Sequence, residues 1–439
     1  MATYFVWDGG NNGDGLSWAN AKTTLAGAIA LASASGDVIK VAHTHTGDNA
    51  RVSDTTWTAL NNISIVSVDK GNADTPTPMG TAAWLGSSST SVALTVTGAY
   101  RILLSGLTLR NGGASNKSIE FAKSDGGALI IENSYIWLGT SGATTWINLG
   151  PLTASNSNVT VKNSTFRFGH ASQTLYSAGS NSFLGCTISS DGIAPITLFG
   201  SSTYGTSIDL IGCDFSHCGS GTLVANQTTY SSIFRFIQCK LGTNYVARAT
   251  PSSPANAANG QTWIIDCSSG DTHGLFGYYD GQGALTSDTG VYVTAGASQQ
   301  SWKIVTTSGN GPERPFRTPW ISLYNTLTES ITPYLDVLRD DNTNAYKDTE
   351  VWAEFMAKTA GGSPISTMYS DAGELLSAGT NQATSSLVAG DWFGESGTNW
   401  YGKCDSGSAF APAENGEILG RICVAVASTT LRIDPFIKT

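Results

Sequence analysis

One short phrase recurs along the middle of this chain and limits the available folds more than any other feature. Two or three apolar residues, a small polar residue and a second apolar pair appear as Ile102-Leu103-Leu104-Ser105-Gly106-Leu107, Ile130-Ile131-Glu132-Asn133-Ser134-Tyr135-Ile136 and Val159-Thr160-Val161-Lys162-Asn163-Ser164-Thr165-Phe166. The phrase returns as Phe183-Leu184-Gly185-Cys186-Thr187-Ile188, Leu210-Ile211-Gly212-Cys213-Asp214-Phe215, Phe236-Ile237-Gln238-Cys239-Lys240-Leu241 and Ile264-Ile265-Asp266-Cys267. Aligned on Ser105, Asn133, Asn163, Cys186, Cys213, Cys239 and Cys267, the intervals are 28, 30, 23, 27, 26 and 28 residues. A period of this size, made of strand-forming residues with no helical pattern inside the unit, describes a coil that stacks parallel strands turn upon turn. No turn buries its inward face alone, so neighbours complete each other's core. The aligned residue is expected to point inward as a ladder, with Asn bonding to backbone and stacked amides and Cys acting as a small buried hydrophobe.

The bulk numbers agree with such a surface. Only 13% of the 439 residues are charged, against roughly 25% in an average soluble domain, and 50 are glycine. The net charge of −10 and pI near 4.9 argue against nucleic acid as a partner, because phosphate binding needs a basic stripe. No apolar run is long enough to span a membrane, so no membrane partner is expected. The first residues, Met1-Ala2-Thr3-Tyr4-Phe5-Val6-Trp7-Asp8, lack a basic and an apolar region, so no signal peptide is expected and folding should begin in a cytoplasm. The chain has 7 cysteines, four of them in the ladder, and these read as buried thiols. Cys213 and Cys218 are near in sequence, but no second pair completes a zinc set.

In chain order, Tyr4 to Trp7 is a short strand, followed by the turn cluster Asp8 to Gly15. Thr23 to Ala32 reads as a short apolar helix with Thr23 or Thr24 as N-cap and Gly36-Asp37 as its stop, and Val38 to Val41 opens the first strand of the coil. A stack of strands leaves an open apolar end, which such a helix would cover. Asp8-Gly9 through Asp14-Gly15-Leu16-Ser17-Trp18-Ala19, the helix, then Gly36-Asp37-Val38-Ile39-Lys40-Val41 resemble the opening of right-handed parallel β-helix proteins of the pectate-lyase-like group, many phage spikes among them. The resemblance covers roughly residues 4–300.

The Gly/Pro-rich segment Thr306 to Pro315 marks a boundary, since residues 313–439 hold 9 basic and 16 acidic residues against 14 and 17 in the first 312. Charge density doubles. Glu350 to Ala357 and Arg421 to Ala427 alternate with period two, and about eight short strands without a long helix favour a sandwich. The expected fold is therefore all-β: residues 1–41 an N-terminal strand and capping helix, 42–305 a right-handed parallel β-helix, 306–319 a linker, and 320–439 an antiparallel, jelly-roll-like β-sandwich with Trp320, Trp352, Trp392 and Trp400 supplying its core.

Few residues carry a chemical signal. His43 and His45, with Asp48 nearby, would share one face of a strand, but a third and fourth metal ligand are lacking. Asp266, Asp271 and Asp280, with His273, Tyr278 and Tyr279, are the catalytic candidates, because paired carboxylates beside aromatics suit glycoside cleavage. Against that, Ser269-Gly270-Asp271 and Asp280-Gly281 are ordinary turn chemistry. The resemblance implies, for a hydrolase, an Asn-Thr-Asp strand, an Asp-Asp pair, a Gly-His-Gly and an Arg-Ile-Lys. This chain has none in the coil: Gly169-His170-Ala171 is the nearest approach, and Asp340-Asp341 falls in the other domain. Trp392-Phe393 and Trp400-Tyr401 could stack on sugars but read as core, and Asp336 to Asp341 as a solvated loop.

The expectation is a non-enzymatic virion protein of a tailed phage, a spike, fibre or capsid or neck decoration. It would be a homotrimer attached to other virion proteins, with no metal and no cofactor. The alternative is a tailspike that binds and depolymerises host surface polysaccharide, and a further alternative is a bacterial adhesin.

Overall fold

The computed structural model describes residues 1–46, 55–72, 77, 80, 83–87, 94–97, 100–111, 119–122, 127–139, 146–149, 158–190, 198–199, 204–218, 222–224, 232–242, 246–248, 260–269, 272–280, 282–294, 297–311, 315–327, 334–339, 350–358, 364–370, 375–376, 392–393, 400–405 and 416–433. Among the described residues the chain is all-β apart from the helix Leu25–Leu31, and it divides into two compact units. Met1–Ala249 with Asn259–Leu275 form the first, and Thr250–Ala258 with Phe276–Thr439 the second.

The first unit is a parallel β-solenoid with three ladders. The first ladder begins with Thr3–Val6, Asp37–Ala42, Ile63–Val68, Ile102–Ser105, Ala128–Glu132 and Asn158–Lys162. It continues through the second half of Thr174–Leu184, then Tyr204–Ile211, Ser232–Ile237 and Gly260–Ser269. A second ladder stacks Ala83–Ser87, Leu107–Asn111, Tyr135–Leu138, Thr165–Arg167, Thr187–Ser189, Asp214–His217 and Lys240–Leu241. The third holds Thr55–Thr58, Leu94–Thr97, Ile119–Ala122, Trp146–Leu149 and the start of Thr174–Leu184, then Phe199 and Thr222–Val224.

Parallel register turns the sequence repeat into columns. Ile39, Ile65, Leu104, Ile131, Val161, Phe183, Leu210, Phe236 and Ile264 lie one above the next and are all buried. Their neighbours along each strand point outward, as the two-residue period of a strand requires. From Phe166 onward the core gains rings that touch in pairs, Phe166 on Phe183, Phe199 on Phe234 and Phe215 on Phe236, with centroids 5.6, 5.0 and 5.5 Å apart.

Between the first and second ladders the chain turns a corner through one left-handed residue. Gly106, Asn133, Asn163, Gly185, Gly212, Gln238 and Asp266 occupy it, with φ between 46° and 70°. Each N–H from Gly106 to Gln238 donates to the strand-end carbonyl of the next turn, for example Asn133 to Lys162 and Gln238 to Ile265. The residue after the corner turns inward: Leu107, Ser134, Ser164, Cys186, Cys213, Cys239 and Cys267 are all buried. The expected ladder is thus corrected. Asn133 and Asn163 are exposed corner residues and form no inward amide stack, Ser105 lies two places before the inward position, and the inward polar rungs are Ser134 and Ser164, followed by the four cysteines.

The helix covers one end of the solenoid core. Thr24 caps it, its Oγ1 accepting the Gly27 N–H at 3.2 Å, and Leu25, Ala28 and Ile29 are buried. Asp37 ties the opening strand and the segment after the helix to the first turn, accepting the N–H of Ala2 at 2.6 Å and of Ala34 at 3.0 Å.

The second unit is antiparallel. One sheet orders Gly283–Thr294, Ala297–Thr306, Thr430–Ile433, Tyr334–Arg339, Trp400–Asp405 and Trp392–Phe393. In the other, Gly416–Val424 pairs Phe316–Arg317, Ile321–Leu327 and Val351–Lys358, and Pro364–Ser370 and Leu375–Leu376 follow. Parallel pairing ends at Ser269 and antiparallel pairing starts at Gly277, so the strands up to residue 305, expected as the last of the coil, belong instead to this unit. Nor is the start of the 306–319 segment a loose linker. Asn310 is buried, its Nδ2 donates to the carbonyls of Val424 and Val426 at 2.7 and 2.8 Å, and its Oδ1 accepts the Phe316 N–H at 2.7 Å.

Candidate functional site

Of the carboxylates singled out from the sequence, Asp266 and Asp280 are held by local hydrogen bonds. Asp266 is the exposed left-handed corner of the last solenoid turn, and its Oδ2 accepts Gln238 Nε2 at 3.2 Å. Asp280 closes a hairpin: its Oδ1 accepts the N–H of Gln282 at 2.7 Å and of Gly283 at 3.0 Å, and its Oδ2 lies 3.4 Å from the Tyr278 hydroxyl. Asp266 and Asp280 fall in different units, and Asp271 lies outside the described residues. On the solenoid's outer surface, Asp209 pairs with Arg235 at 2.7 Å, while Asp214 accepts Ser216 at 2.5 Å and faces Lys240 at 3.6 Å. Burial works to raise the Asp214 carboxyl. The hydroxyl and N–H of Ser216, then Lys240 and His217, outweigh it and hold the group below the usual range.

The histidine pair is corrected as well. His43 and His45 follow the strand Asp37–Ala42 in a turn closed by the His45 N–H on the Ala42 carbonyl, so they do not share a strand face. His43 Nδ1 meets the Val68 carbonyl at 3.3 Å and His45 is buried, while Asp48 lies outside the described residues. Among the described residues no group of three His, Cys, Asp or Glu is placed to hold a metal ion. Gly169-His170-Ala171 is a turn organised by Gln173, whose Oε1 accepts the Gly169 and His170 N–H groups at 2.7 and 3.1 Å.

In the second unit, Glu354 is 1% exposed and stands opposite Arg421 in register. Arg421 Nε donates to it at 2.6 Å with Nη2 also in contact, Arg317 Nε is 3.7 Å away, and the Trp320 ring covers the Arg421 guanidinium at 4.3 Å. Trp352 is core as expected, and the neighbouring Cys423 thiol is pushed up by its burial and by Glu354. This is a buried ion pair inside a sheet, not a cleft. The side chains of Trp392, Phe393, Trp400, Tyr401 and Asp336, and residues 340 and 341, lie outside the described residues.

Two columns of the solenoid that alternate with the core have a distinct chemistry instead, with Ser105 and Thr108 in them buried. On the first ladder, the residue before each corner runs Ser105, Glu132, Lys162 and then Leu184, Ile211, Ile237 and Ile265. The last four form an aliphatic stripe on the outside, with Ile211 37% exposed. On the second ladder, register stacks Gly86, Arg110, Trp137 and Arg167, and beside them Trp84, Thr108, Tyr135 and Thr165. The Arg110 guanidinium lies 3.7 Å from the Trp137 ring centroid and 4.9 Å from that of Trp84. Arg167 approaches Trp137 at 5.8 Å, and its Nη1 meets the Tyr135 hydroxyl at 3.4 Å. Desolvation and the like charge of Arg167 both lower the affinity of Arg110 for its proton, with Tyr135 opposing them.

Sequence reasoning passed over both columns, because their members are a full turn apart and meet only through register. The signal was present: Arg110, Trp137, Arg167 and Ser189 each stand four residues after a left-handed corner.

No family profile matches the chain, and no curated protein matches it. Among solved structures, the enzymatically active domain of tailspike protein 4 from bacteriophage CBA120 is similar at a TM-score of 0.21 and 10% identity, over 96% of this chain and 67% of that one. So loose a superposition transfers no residue and no activity.

Proposed function

We propose that the chain is a non-catalytic structural protein of a tailed-phage particle, a spike or decoration that stands as a homotrimer of solenoids. The aliphatic stripe Leu184, Ile211, Ile237 and Ile265 carries this reading. Four successive outward rungs of branched aliphatics on a strand face are costly to leave in water, and a closed three-fold assembly would bury them with one patch per chain. The resemblance of the opening module to phage spikes and the low charge of the coil support the virion setting. Among the solenoid carboxylates, Asp209, Asp214 and Asp266 are each engaged by a neighbour, which speaks against a cleaving pair made of these three.

Sedimentation equilibrium tests the assembly. The wild type should run as a trimer, and Ile211→Asp as a monomer with unchanged circular dichroism. A monomeric wild type, or a trimeric Ile211→Asp, overturns it. The same protein incubated with host surface polysaccharide should release no new reducing ends and no unsaturated sugars. Product would overturn the non-catalytic reading and send the search to carboxylates outside the described residues, Asp271 among them.

A further inference from the structure

We propose that the sheet face of the second unit formed by Arg317, Arg421 and Trp320 binds an oxyanion, a carboxylate or a phosphate, as a second counter-charge beside Glu354. All four residues belong to the second unit, and the solenoid contributes nothing to the site.

Strand register brings the charges together. Arg317 and Trp352 stand on either side of Cys423, and Glu354 stands opposite Arg421 two places further along. The two-residue period of a strand therefore puts all five side chains on one face of the sheet. Glu354 is the carboxylate that both guanidiniums meet, but it serves them unequally. Arg421 holds it through Nε at 2.6 Å and through Nη2, and Trp352 Nε1 adds a contact at 3.5 Å. Arg317 Nε stays 3.7 Å away, beyond hydrogen-bond reach. The Nε and Nη2 atoms of Arg317 are enclosed and find no hydrogen-bond partner among the described residues. Two cations thus share one anion. A guanidinium partly withdrawn from water with its donors unmet is costly, and a further anion at its open side offsets that cost. Both guanidinium side chains have such a side, since Arg317 is 23% exposed and Arg421 19%, against 1% for Glu354. A ligand this small needs no cleft. The local excess of positive charge does not follow from composition, because residues 313–439 hold 16 acidic residues and only 9 basic ones. Oxyanions suit the site better than halides, because a planar guanidinium meets carboxylate or phosphate through paired hydrogen bonds. The Trp320 ring, 4.3 Å from the Arg421 guanidinium, fixes one of the two planes in advance, so less freedom is lost on binding.

Calorimetry of the full chain with acetate, inorganic phosphate and chloride, at one ionic strength, tests the site. Acetate or phosphate should bind at one site per chain, and chloride should not. Arg317→Gln leaves the Glu354–Arg421 pair in place, so it should melt with the wild type in anion-free buffer. It should bind about tenfold more weakly or less tightly still, one decade being about 1.4 kcal/mol. Arg317→Lys, which keeps the charge but loses the fork, should fall between the two. Sedimentation separates the sources of the oxyanion. Binding by the wild type that Arg317→Gln loses at unchanged mass supports a free solute. Silence in calorimetry together with a lower mass for Arg317→Gln supports the same site filled by a carboxylate of a second copy. Silence with unchanged mass overturns the proposal, as does equal affinity in wild type and Arg317→Gln, or chloride binding as well as acetate. Melting of Arg317→Gln far below the wild type also overturns it, because Arg317 would then be the counter-charge that Glu354 itself requires. The trimer is tested separately at Ile211, so a monomeric wild type that binds acetate or phosphate sinks the trimer and leaves this site standing.

Discussion

Gln238 and Asp266 hold a backbone conformation that costs an L-residue about 1–2 kcal/mol, while Gly106, Gly185 and Gly212 meet the same corner without that penalty. Space is no obstacle, since a Cβ at Gly212 would have nothing within 4 Å. Gln238→Gly should therefore raise stability by about 1 kcal/mol, offset slightly by the exposed hydrogen bond to Asp266. Gly212→Val should lower it by more, because a branched side chain tolerates this region least. Urea denaturation of both variants checks the pair, and equal midpoints would refute the corner assignment. Asp37 gives a second residue-scale expectation. The Ala2 and Ala34 N–H groups, in that order, hold its carboxyl below the usual value, so its stabilising effect is fully present above the unfolded-state pKa and is lost as pH falls through the lowered folded-state one. Amide exchange of the opening strand should accelerate in that acid window in the wild type. In Asp37→Asn it should be faster already at neutral pH.

At the scale of one element, the inward rung after the corner is a column in which hydroxyl and thiol do the same task. Ser134 Oγ and Ser164 Oγ donate to the carbonyls two residues earlier at 2.8 Å each, and Cys186, Cys213, Cys239 and Cys267 repeat the contact at 3.5 to 3.6 Å. The thiols also reach the previous turn, as Cys239 does to the Leu210 carbonyl at 3.2 Å. Contact with Cys186 and Cys239, then burial, pushes the Cys213 thiol up, and burial carries Cys218 up to about 12. Cys186→Ser should accordingly change stability by about 1 kcal/mol or less, whereas Cys186→Asp should cost about 3–5 kcal/mol by placing an unpaired charge in the stack. Thermal melts of the two variants check this, and similar melting for Asp and wild type would show that the rung faces water. Cys186, Cys213, Cys218, Cys239, Cys267 and Cys423, all buried, should resist a thiol reagent until the fold opens. The existence of this ladder was legible in the repeat, but its phase was not. Asn and Ser are adjacent in Asn133-Ser134 and Asn163-Ser164, and both suit turns and ladders, so only the sign of φ decides which residue faces in.

For the whole molecule, period and composition revealed the solenoid, its helical cover and the antiparallel second part, because stacking makes one turn's pattern answerable to the next. The junction was harder to read. Strand-forming residues from 283 to 305 look alike whether their partners run parallel or antiparallel, and the Gly/Pro segment that suggested a free linker holds Asn310, buried against Val424 and Val426. The candidate site was least legible. A carboxylate beside tyrosines is visible in a line of sequence, while Arg110, Trp137 and Arg167 become neighbours only once the turns are wound.

The left-handed corner has a consequence for how such a chain can change. Between successive corners the chain advances 27, 30, 22, 27, 26 and 28 residues, yet the corner itself is always a single residue. All of that variation falls elsewhere in the turn. One edge of the molecule is thus a fixed spine that sets alignment, and the rest of each turn is free to lengthen or shorten. New segments grafted away from the spine would be displayed one above another, in a row whose order is that of the gene.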